Sequence, residues 1–157
     1  MHPLSAKEIL EIWEWGQDKH PLDRASALLG VACPDLPEDQ LQSLTIGQRN
    51  SRLLSLREMT LGPMFKGLAV CDQCGASLEF SIAVSAIRRP EPEEREYNLV
   101  VNDITIRFRA LNSLDLAAIV GIVDAGEARL RLIERCLIAA GRNGNPSQPK
   151  SEGTDSF

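Results

Sequence analysis

Aromatic residues are scarce. Phe, Trp and Tyr make up 4% of the 157 residues, so any core must be built from Leu, Ile, Val and Ala. Histidine is scarcer still: His2 and His20 lie near the start, which excludes a paired-His metal motif and places a Cys/His dyad poorly. No glycine-rich phosphate loop is present. No apolar run approaches the ~20 residues of a spanning helix, and the first residues lack a leader pattern, so no membrane insertion is expected. Positive charge is in deficit, with Lys+Arg 17 against Asp+Glu 22 and a net charge of −5. A phosphate-backbone binder needs a basic face, so direct nucleic-acid contact is not expected either. Four cysteines without a framework spacing point to a reducing compartment, the cytoplasm. No catalytic constellation emerges, and the expectation is a non-enzymatic binding or structural part.

Apolar residues at 43% and charged residues at 25% are ordinary for a globular chain long enough to bury one core. The most informative stretch is Val70-Cys71-Asp72-Gln73-Cys74-Gly75, followed by strict alternation. Leu78, Phe80, Ile82 and Val84 share one side, and Ser77, Glu79, Ser81 and Ala83 the other. That two-residue period predicts a strand with one buried face. Two thiols on a tight turn at a hairpin are half of a zinc ribbon, whose closed site takes four protein ligands. Cys71 and Cys74 are therefore candidate metal ligands, with Cys33 and Cys136 as the only further thiols to complete a Zn2+ site, unless a second chain contributes. The alternatives are no metal at all, with the cysteines packed as small apolar residues, or a thiol redox pair. The last is disfavoured because the motif enters a strand instead of a helix N-terminus.

The expected fold class is α+β. Residues 1–63 read as helical. Ser5 and Glu8 form a capping box, and Ile9, Ile12, Trp13 and Gly16 form an apolar stripe with Trp15 off it. A second helix spans Leu22 to Cys33, and a short one runs from Glu38 to about Leu44. A fourth is opened by Thr45 and Gln48 and closed by Gly62-Pro63. Residues 64–110 read as a small antiparallel sheet of about four strands carrying the cysteine turn. They include a charged, proline-interrupted loop from Arg88 to Glu96 and a tight turn at Asn102-Asp103. Residues 111–140 read as helical again, with Leu130, Ile133, Leu137 and Ala140 on one face of the last helix. Residues 1–140 are expected to form a single domain, and residues 141–157 a disordered tail.

Off-stripe Trp15 is a candidate interface anchor. Arg49, Arg52 and Arg57, all on the fourth helix, offer an ion-pairing surface to an acidic partner; a merely solvated face is the plainer reading.

Several segments carry a family resemblance. They are Ile9 to Glu14, Ala32 to Leu36, Ile46-Gly47-Gln48-Arg49-Asn50 leading into Leu53 to Arg57, and Leu61-Gly62-Pro63. They continue with Cys71 to Gly75 and Leu78-Glu79-Phe80, then Ile104 to Arg109 and Ser113 to Ala117. Together they resemble the baseplate (hub-associated) protein family of contractile phage tails and extracellular contractile injection systems. The chain has the look of a short member lacking a second Cys-x-x-Cys segment. The resemblance implies a non-enzymatic structural or assembly component that docks onto hub, spike or wedge proteins. It further implies cytoplasmic assembly and a place in a tail particle, with a homo-oligomer open. The reading from another class is a zinc-ribbon adaptor recruited to a nucleic-acid or transcription complex.

Overall fold

The computed structural model describes residues 1–89 and 96–142, and the chain divides into two compact units, Met1–Glu91 and Pro92–Phe157. Within the first, helix α1 (Ala6–Gly16) starts where Ser5 accepts from the Glu8 amide while Glu8 accepts from the Ser5 amide. Helix α2 (Pro21–Ala32) begins on Pro21, whose missing N–H is no loss at a first turn. The His20 ring nitrogen caps it by accepting from Leu22 N at 3.2 Å. Helix α3 (Glu38–Ser43) follows the Pro34–Pro37 break. Helix α4 (Ile46–Leu61) opens on the Thr45–Gln48 capping box and stops at Gly62, whose φ of +88° a side chain would strain. Each of these starts is local chemistry, and each matches the sequence expectation to within a residue or two.

The helices close on Leu4, Leu29, Ala32, Cys33, Leu41, Leu44 and Leu56. The first residues are tied down as well: His2 N donates to Ala32 O, the His2 ring meets Val31 O, and Leu4 N donates to Thr60 Oγ1. The stripe expected on α1 splits. Ile12 and Gly16 turn inward, with Gly16 against the Arg24 stem, whereas Ile9 and Trp13 turn out and Trp13 is 62% exposed. A three-helix contact is narrower than the stripe, so only one i, i+4 row of α1 is covered. Because Thr45 caps α4 at the edge of this core, Thr45→Ala should lower stability by about 1 kcal/mol in urea unfolding, with Thr45→Ser nearly neutral.

Strands β1 (Met64–Val70) and β2 (Ser77–Ala83) pair antiparallel, with Phe65 opposite Ile82, Gly67 opposite Phe80 and Ala69 opposite Leu78. The pair continues into a single helical turn, α5 (Val84–Ile87). Val84 is fully buried and its amide donates to Pro63 O. Arg57 of α4 holds the first strand: its guanidinium lies 4.1 Å over the Phe65 ring and donates to the Gly62 and Met64 carbonyls. Arg88 returns to Glu58 of α4 at 2.7 Å.

The second unit is a three-stranded antiparallel sheet ordered β3 (Glu96–Val101), β4 (Ile104–Arg109), β5 (Leu137–Arg142), with helices α6 (Ser113–Ala117) and α7 (Ala125–Cys136) between its last two strands. Asn102, at φ 55°, makes the tight turn between β3 and β4, and Tyr97 stacks on Phe108 with ring centroids 5.6 Å apart.

The fold class is thus α+β, with two corrections. The strands form two separate small sheets where one sheet of about four strands was expected. Alternation assigns residues to faces, but says nothing of which strands exchange hydrogen bonds. The last helix ends at Cys136, and Leu137 and Ala140, read as its apolar stripe, instead pair with Phe108 and Ile106 of β4. Leu137 to Arg142 is too short and too uniformly small or apolar for periodicity to separate strand from helix. Gly141 and Arg142, placed in the tail by sequence, belong to β5; residues 143–157, like residues 90–95 of the charged loop, lie outside the described residues.

Candidate functional site: the cysteine turn and the open apolar faces

Between β1 and β2 the chain reverses through Cys71–Ala76. Cys71 N donates to Ala76 O at 2.9 Å and Gly75 N to Cys71 O at 2.8 Å, and Gly75 takes φ +69° to close the loop. The Cys71 thiol is held below its ordinary value by the backbone N–H of Cys74 first, then that of Gln73, then the Cys74 side chain. Amides aimed at a sulfur favour its thiolate, the form that binds a metal. Cys74 is exposed and Cys71 half-exposed, and neither is in a disulfide.

As a zinc ligand set the turn fits in donor type but not in number, since a closed structural site needs four protein ligands. Among the described residues no three Cys, His, Asp or Glu side chains gather as a metal site. Cys33 is buried in the helical core, capping α2 with its amide on Leu29 O. Cys136 is buried against Asp115, with Sγ 3.9 Å from its Oδ2, and burial first and that carboxylate second push its thiol up.

The face of the hairpin expected to be buried is open. Leu78, Phe80 and Ile82 are all exposed, Phe80 at 42%. The Phe80 ring lies flat across Gly67, where a Cβ would stand 2.4 Å from its Cζ, so the ring covers backbone instead of a core. On the opposite face Met64, Leu68 and Val70 are exposed too, Leu68 at 73%. Periodicity was right about which residues share a side and wrong about cover, since among the described residues these side chains stay exposed.

The other candidates are distributed differently. Trp15 is 49% exposed, sits under Lys19 Nζ at 5.6 Å, and edges an open groove lined by Ala27, Gly30, Leu36 and Leu41. Arg49 is buried and hydrogen-bonded to Asn50 Oδ1, and burial lowers its proton affinity. Arg57 is engaged by Phe65 and two carbonyls. Arg52 lies half-exposed on α4. The three arginines therefore do not present one common charged surface.

Sequence reasoning missed the strongest electrostatic cluster. Asp115 is fully buried and takes two bonds from Arg109 (2.5 and 2.8 Å), one from Arg135 Nε (2.9 Å) and one from Asn112 N (3.0 Å). Arg109 foremost holds its carboxyl down to about 2, and Asp115 in return raises the Arg109 value. Arg109 also donates to Arg135 O, so β4, α6 and α7 meet on a single carboxylate. With its lone pairs already taken by donors of the same chain, this group clamps the unit together and is not set up as a general base. The only sequence signal was an Asp in a helix first turn; its partners lie 6 and 20 residues away.

The model of a family described as T4 bacteriophage base plate protein matches residues 9–146. No curated protein and no solved structure matches the chain.

Proposed function

The chain belongs to the T4 bacteriophage base plate protein family, and from that premise we propose that it docks onto hub, spike or wedge proteins through the open faces of its hairpin and α1. Membership supports a structural part in the phage tail. No helix among the described residues is long and apolar enough to cross a membrane.

The observation that carries the docking reading is the apolar cover left undone. Leu78, Phe80 and Ile82 are exposed along one face of the hairpin and Leu68 and Val70 on the other, with Leu10 and Trp13 exposed on α1. Single exposed apolar residues are ordinary, whereas contiguous ones mark an interaction site. Each square ångström of that surface covered by a partner contributes about 25 cal/mol, and the aromatic members are the residue types that dominate interface energies. An isolated two-stranded hairpin is marginal by itself; here Arg57 and Val84 brace its base, and its far end is left for the partner. Trp15 serves as an anchor beside its groove and Arg52 as the arginine offered to an acidic neighbour, while Arg49 and Arg57 keep the scaffold in shape. Docking takes place during assembly in the cytoplasm and fixes the protein's position in the tail.

A phage carrying Leu68→Glu with Leu78→Glu, and separately Trp13→Asp, tests the proposal. These positions are exposed, so the purified variants should unfold within about 0.5 kcal/mol of the parent. Association with baseplate proteins should fall about tenfold or more, since that much follows from losing one interface anchor. Parental association by both variants would refute docking through these faces.

A further inference from the structure

We propose that Cys71 and Cys74 are half of a tetrathiolate Zn2+ site whose other half is the same pair on a second copy of this chain. The sequence provides two thiols at ribbon spacing, and the structure adds what spacing alone does not. The turn between β1 and β2 carries both thiols on one short loop. It is locked by the Cys71–Ala76 and Gly75–Cys71 backbone bonds, and it stands at the tip of a hairpin with Cys74 exposed.

Ligand count then selects the occupant. Zinc in a structural site takes four ligands in a tetrahedron. The two remaining thiols of the chain are committed elsewhere, Cys33 to the helical core and Cys136 to Asp115. Among the described residues no third Cys, His, Asp or Glu side chain, Asp72 of the turn included, gathers with these two as a metal site. Two thiolates per chain make four about a twofold axis, the commonest symmetry of protein pairs. On binding, each chain releases two thiol protons and the metal gains four sulfur bonds. No oxidant or reductant is involved, because zinc carries no redox change.

The inference does not depend on which baseplate protein the chain docks to, and its test is separate from the tail-association assay. The full chain is purified under reducing conditions and titrated with Zn2+, while bound metal and molar mass in solution are measured together. The expected result is one zinc per two chains and a twofold rise in mass, both reversed by a chelator. Co2+ in place of Zn2+ should give the visible absorption of a tetrahedral thiolate site. Cys74→Ser, at an exposed position where folding is not at stake, should abolish metal and dimer together with helical circular dichroism unchanged, and Cys33→Ala should retain both. One zinc per monomer, a dimer indifferent to the chelator, or no retained zinc with all thiols reduced would each overturn the inference. So would zinc bound only when a baseplate protein supplies the missing ligands.

Discussion

Asp115→Ala lowers the stability of the second unit by about 3–5 kcal/mol, the range for breaking a buried ion pair from one side. The reason is what remains behind. Arg109 and Arg135 keep their charges next to a side chain that no longer accepts them, and Asn112 N and the Cys136 thiol lose an acceptor as well. Asp115→Asn is milder, since an amide keeps one acceptor but turns a donor toward the guanidinium groups. The tryptophans of the chain both lie in α1 and its one tyrosine in β3. Tyr97 and the amides of β3 to β5 therefore report this loss, and Trp13 and Trp15 report the other unit.

The same carboxylate sets a pH dependence. Its value falls on folding from 3.8 to about 2, so the folded state holds the proton less tightly than the unfolded one. The stabilisation of roughly 2 kcal/mol that corresponds to this shift is present above the unfolded value. It is lost as pH falls through about 2. Hydrogen exchange at β4 and β5 amides should thus show the Asp115→Asn deficit near neutral pH and little of it at about pH 2. A deficit that persisted unchanged in acid would mean the cluster stabilises by packing and not by charge.

Leu29→Ala produces the second large effect, about 2–5 kcal/mol in urea unfolding followed by helical circular dichroism. Leu29 is 1% exposed at the centre of the helical cluster, where α2 meets Leu4, Leu41 and Leu56. Its neighbours are held in place, Leu41 and Leu56 by their helices and Leu4 by its amide hydrogen bond to Thr60 Oγ1, so the cavity is not readily filled. Leu78→Ala, which removes a side chain of the same size, should cost less than about 0.5 kcal/mol. Two leucines that look alike in sequence are separated only by what covers them.

That contrast locates the limit of sequence reading here. Helix starts were legible because each rests on residues three apart: Ser5 with Glu8, Thr45 with Gln48, Asn112 with Asp115. The Gly62-Pro63 stop and the Asn102 turn were legible for the same reason. His20 as a cap was not, since a ring nitrogen accepting from an amide is not among the usual capping side chains. β5 escaped because its evidence lies in Phe108 and Ile106, some thirty residues earlier on the strand it pairs with. At the candidate site the thiol pair and its turn were visible. The absence of cover over Leu68 and Phe80 belongs to the tertiary structure alone. Trp13 illustrates the cost: helical spacing put it on the inner stripe, and the narrow contact of α1 left it outside.

The account rests on these uncovered apolar faces being the surfaces a baseplate covers. Hydroxyl-radical footprinting of the free protein and of its complex with baseplate proteins measures that cover directly. Leu68, Leu78, Phe80 and Trp13 should label readily in the free chain and lose several-fold of that reactivity on assembly, with buried Leu29 unreactive in both states. Equal labelling of the four in free and assembled protein would contradict the account.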